Sequence, residues 1–155
     1  MAGDSQQFRP IHRIGRSMTA CTDRAFFMRM NEDDFKNTVL QGIESLPAWV
    51  KEKLTNVAFL IEEEPSERQR EENGLLGDET LFGLYEGVPL SERGNESPLL
   101  PDSITIFRAP ILEAYESKED IRACIENTVW HEVAHFFGHD EEWVEAEEVR
   151  RKKTV

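Results

Sequence analysis

Apolar residues recur at Phe35, Val39, Ile43 and Leu46, the spacing of one helix face, behind the first-turn acids Asp33 and Asp34. The pattern predicts an amphipathic helix from about Asn31. Pro47 breaks or restarts it, and Trp49, Val50 and Leu54 extend the apolar face to Asn56. Val57 to Ile61 is a short apolar run closed by Glu62 to Glu64 and Pro65, which reads as a buried strand. Residues 66–78 are polar and read as a surface loop. Leu81 to Leu90, interrupted by Gly83 and Gly87, suits a second strand ending in a turn. A loop at 91–102 leads to Ser103–Phe107, whose polar and apolar alternation marks a half-buried strand at a possible sheet edge, with Pro110 ending the pairing. A long helical pattern runs from Ser117 to Gly138. A charged helix from about Glu141 to Lys152 closes the chain, with Trp143, Ala146 and Val149 as its apolar stripe. The order predicts an α+β domain: a small mixed sheet of about three to four strands flanked by helices.

At 155 residues the chain suits one domain. Residues 1–30 carry five Arg against Asp4 and Asp23, whereas the net charge of the whole chain is -13. The composition therefore divides into a basic extension, residues 1–29, read as a disordered tail, and a strongly acidic domain, residues 30–155. An acidic domain opposes binding to nucleic acid or to an anionic membrane surface. Only two cysteines occur, Cys21 and Cys124, too few for a disulfide framework and not spaced as a metal knuckle. They suggest a reducing, cytoplasmic setting. No apolar run approaches the roughly 20 residues of a membrane helix.

Three of the four histidines, His131, His135 and His139, fall inside nine residues. Within them His131-Glu132-Val133-Ala134-His135 matches H-E-x-x-H. Histidines four apart on a helix stand one turn above each other, so both imidazoles reach one cation, and the intervening Glu132 is placed to take a proton from a metal-activated water. A solvated stripe is the alternative. Helical angles oppose it, because Ile121, Cys124, Ile125 and Thr128 share the side of His135 and Glu132, which makes that side inward-facing. A buried Glu beside two buried His is costly without a ligand to neutralise the set, and a divalent cation does so.

Gly138 can end the helix in a left-handed turn and return the chain toward the metal. Glu141 stands ten residues after His131, where the longer H-E-x-x-H-x-x-G-x-x-H pattern places its last ligand, and is the first choice; Asp140 and His139 are the others, and each could instead cap or charge the closing helix. Nitrogen and oxygen donors point to zinc.

The blocks FKNTVLQGIESLPAWVKEKLTNVAFLIEEEP, LLGDETLFGLYEGVPLSERG, LPDSITIFRAPIL and NTVWHEVAHFFGHDEEWV, taken in order, resemble the compact zincin-like metallopeptidases. The resemblance implies a small mixed sheet with the motif on the long helix, His131 and His135 as zinc ligands, and Glu132 as the catalytic glutamate. The family commonly has Asp where Glu141 stands. A partial resemblance, to bacterial zinc hydrolases of ribosomal RNA maturation, uses His at the three spacings, but Glu132, Glu141 and the acidic balance favour the peptidase.

The expected activity is zinc-dependent peptide hydrolysis, with substrate extended along Ser103–Phe107. The alternatives are a zincin-fold binding or scaffold protein without turnover and, further off, a zinc hydrolase acting on RNA. Tyr85 reads as core with a possible oxyanion role. Arg108 reads as a surface charge with a possible hold on a substrate carboxylate. Glu147 and Arg151 read as solvated helical pairing.

Overall fold

The computed structural model describes residues 14–15, 30–94 and 100–153, with the backbone alone for Ile14, Gly15, Glu141, Arg151 and Lys152. The basic extension thus lies outside the described residues except for Ile14–Gly15 (β1).

Asn31 accepts the Asp34 N–H at 2.8 Å and starts α1, Glu32–Glu44. Pro47 restarts the chain as α2, Ala48–Lys53, and Asn56, at φ 61°, turns it out of the helix. The left-handed region tolerates Asn better than most side chains. The Asn56 carbonyl then accepts the Asp102 N–H at 3.1 Å, which sets the register of the strands that follow.

β2, Val57–Glu62, pairs in parallel with β5, Asp102–Phe107, and β4, Gly83–Glu86, pairs with β5 antiparallel. The mixed sheet has the order β2-β5-β4, and a separate two-residue pairing joins β1 to β3, Glu79–Thr80. Two expectations are reversed. Ser103–Phe107 belongs to the central strand, with Ile104, Ile106, Phe107 and even Thr105 buried. Val57–Ile61 is the edge, with Leu60 43% exposed.

Residues 66–78 are not all loop. Ser66 and Gln69 form a reciprocal capping box that starts α3, Glu67–Glu72. The strand expected over Leu81–Leu90 is shortened to β4, Gly83–Glu86, with β3 lying just ahead of it, and Pro89 then leads into a 3-10 turn at Leu90–Glu92. Pro110 lies in the first turn of a helix, α4, Arg108–Ala114, where no intrahelical donor is required of it.

Arg108 is neither a surface charge nor placed to hold substrate. It is buried, and it donates to Glu63 Oε1 at 2.9 Å and to the Met30 carbonyl at 3.3 Å, tying β5 to the start of α1.

The long helix is α5, Lys118–Phe137, capped by Ser117, which accepts the Asp120 N–H at 3.0 Å. It packs between α1 and the sheet. Phe35 and Val39 of α1 meet Ile121, Ile125 and Val129 of α5, and Phe82, Ile104 and Ile106 complete the core. Each fully buried side chain of this size contributes about 1.5–3 kcal/mol. α6, Glu141–Lys153, folds back on α5 through Val144. The stripe expected on this helix is out of phase: Trp143, Ala146 and Val149 face outward, whereas Val144 and Glu148 are buried. No helix among the described residues is long and apolar enough to cross a membrane.

Candidate metal centre

The second half of α5 is covered on nearly every side, as its composition predicts. His131, Glu132 and His135 are 0%, 2% and 3% exposed. The two rings stand 5.0 Å apart between centroids, edge to face. This is the stacking that a four-residue helical interval imposes.

Each imidazole is held at Nδ1. His131 Nδ1 lies 2.7 Å from Glu148 Oε1, and because a carboxylate only accepts, the ring donates there. His135 Nδ1 donates to the His139 carbonyl at 3.1 Å. Both contacts fix the tautomer with hydrogen on Nδ1, which leaves the ring lone pair on Nε2, buried in both rings. Burial, together with His131, lowers the His135 pKa to about 4, so the ring is neutral near pH 7, the form that ligates.

The backbone turn behind His135 depends on glycine. Gly138 has φ 95°, its N–H reaches the His135 carbonyl at 2.9 Å, and His139 N–H reaches the Ala134 carbonyl at 3.1 Å. The same turn swings the His139 carbonyl under the His135 ring.

Glu132 points toward β4, where its Oε2 accepts the Tyr85 N–H at 2.8 Å. The strand comes this close because residue 83 is glycine: a Cβ there would stand 2.6 Å from Thr128 Cγ2 and 3.1 Å from Glu132 Cγ. Burial pushes the Glu132 carboxyl up to about 7, against the opposing pull of His131 and the Tyr85 N–H. Tyr85 is half-buried, and its hydroxyl donates to Asp102 Oδ2 at 2.6 Å. Asp102 also pairs with Arg93, whose guanidinium lies over the Phe136 ring. Tyr85 is thus a strut between sheet and helix, acting on Glu132 through its backbone.

The candidate third ligands separate. Asp140 caps α6, its Oδ1 accepting the Trp143 N–H at 2.9 Å, and it is exposed. The His139 ring stacks on Trp143 at 3.6 Å, so its contribution to the centre is its carbonyl. Glu141 is the first residue of α6, with its side chain outside the described residues. Among the described residues no three His, Cys, Asp or Glu side chains gather into a metal-binding group. Cys124 contributes none: its thiol is buried and pushed up to about 12 by that burial.

The residue that sequence reasoning missed is Glu148, which was submerged in a charged helix. The available signal was its spacing: it lies one turn beyond Val144, the single aliphatic residue that helical phase turns toward α5. Glu147 pairs with Arg150 at 2.8 Å, and the Arg151 side chain, expected to pair with Glu147, lies outside the described residues.

Two buried, tautomer-fixed imidazoles with a glutamate between them, on a helix packed against a small mixed sheet, define a zincin-like fold. The chain belongs to the zincin-like metallopeptidase family, whose model matches residues 54–151. The match takes in the end of the first resembling block and all that follow, the motif included. Members of this family typically bind zinc. No curated protein matches the chain.

Proposed function

We propose that the protein is a zinc-dependent peptidase, in which His131 and His135 hold the metal through Nε2, Glu141 supplies the third ligand, and Glu132 is the general base. The observation that carries this reading is the burial of the whole motif with both Nδ1 atoms already committed to orienting bonds. The imidazoles suit zinc in donor type and charge state. Bound zinc supplies Lewis acidity toward the scissile carbonyl and lowers the pKa of the attacking water.

Glu132 accepts the water's proton and passes it to the leaving amine. With Oε2 engaged by the Tyr85 N–H, Oε1 is the oxygen that carries it. The central position of Ser103–Phe107 removes it as a substrate template, since its two sides are taken by β2 and β4. The role passes to β4, the edge strand bonded to Glu132, along which an extended peptide would add as a further strand. The net charge of -13 favours a peptide over RNA.

The test is cleavage of a peptide library by zinc-loaded and chelator-stripped protein, with products identified by mass spectrometry. New termini are expected in the loaded sample alone. Zinc retention with no cleavage of any peptide overturns the peptidase reading in favour of a zincin-fold binding protein.

A further inference from the structure

Helix α6 is written almost wholly in charge, and a helix of that composition ordinarily turns every carboxylate to water. Glu148 departs from this, being only 9% exposed. Its Oε1 receives two donors from α5, His131 Nδ1 at 2.7 Å and Asn127 Nδ2 at 3.1 Å. Asn127 and His131 are one turn apart on α5, so a single oxygen bridges a half-buried and a fully buried position of one helix face.

A buried carboxylate is a poor way to stabilise a helix pair, because an apolar side chain of similar size commonly does as well or better. It is a good way to fix an imidazole. A carboxylate behind Nδ1 locks the ring plane, holds the hydrogen on that nitrogen and makes Nε2 a stronger donor. The partner of His135 is a neutral backbone carbonyl, so the two rings are supported unequally.

We propose that Glu148 is a positioning residue of the metal centre, holding His131 so that its Nε2 is aimed and strengthened for the cation, with Asn127 steadying the same carboxylate oxygen. The inference rests on the metal-centre reading above. It makes α6 part of the site: docking of the last helix and capture of the metal reinforce each other.

The test compares zinc affinity, by competition with a chromophoric chelator, in wild type, Glu148→Gln, Glu148→Leu and Asn127→Ala. Glu148→Leu should weaken zinc binding about 10- to 100-fold. Glu148→Gln, which keeps an acceptor but loses the charge, should fall between it and wild type, and Asn127→Ala should weaken binding less. Cobalt-substituted Glu148→Gln should show a shifted visible spectrum. Because Glu148→Gln is isosteric and Asn127 is only partly buried, these two variants report even if Glu148→Leu does not fold.

Equal zinc affinity in wild type and Glu148→Gln, with an unchanged cobalt spectrum, overturns the proposal and leaves the metal centre standing. Failure of wild type itself to take zinc removes the metal centre and this role with it.

Discussion

Glu132→Gln is expected to lower kcat for peptide hydrolysis by roughly 10²- to 10⁴-fold, the range that a positioned general base contributes. Zinc content should be unchanged. The amide keeps the volume of the side chain in a site where only 2% of Glu132 is exposed, and its carbonyl can still accept the Tyr85 N–H that now reaches Oε2 at 2.8 Å. The variant therefore removes the proton acceptor and leaves β4 where it is. Steady-state kinetics with parallel metal analysis reads both consequences. An active Glu132→Gln protein would assign the base elsewhere, and one that loses zinc would make Glu132 structural.

Gly138→Ala should give the second-largest effect, and it acts on stability and metal together. The new Cβ would occupy a φ of 95° and stand 1.9 Å from Ser91 Oγ and 2.7 Å from Ser91 Cβ. The backbone conformation alone costs about 1–2 kcal/mol for a non-glycine residue. Overpacking of this kind costs about 1–3 kcal/mol. Against a typical stability of about 5–15 kcal/mol the sum is a substantial fraction, and it should appear as a lowered urea midpoint with little change in slope. Because the same turn places the His139 carbonyl under His135, zinc affinity should fall as well. Ser91→Gly in the same chain removes the clash but not the strained φ, so it should restore only part of the loss. Full restoration would mean that the left-handed turn contributes nothing.

The long helix was the most legible element, because its signals are local. Ser117 and Gly138 bound it, and the angles of Ile121, Cys124 and Ile125 place His135 and Glu132 inward, where the structure has them. Strand order was not legible. The alternation of Ser103 and Thr105 suggests a strand with one wet face, yet Thr105 is fully covered, and only the tertiary arrangement decides that β5 is central and β2 the edge.

The closing helix failed for a different reason. Trp143, Ala146 and Val149 define a plausible stripe, but Val144 and Glu148 define another on the opposite side, about 180° away, and the structure selects the second because Glu148 meets His131. A helix with charged residues on every face carries too little contrast to set its phase. The Ser66–Gln69 capping box was readable, and the charges around it masked it. The support of His135 by a backbone carbonyl leaves no trace in the sequence, since any residue at position 139 supplies one.

The central claim is that two imidazoles one turn apart grip a metal ion inside the protein. Elemental analysis of protein purified without added metal, alongside a His131→Ala/His135→Ala variant, tests it most directly. The account predicts one zinc per chain in the wild type and none in the variant. Wild-type protein that holds no zinc even after exposure to excess, or a variant that holds as much, would contradict it.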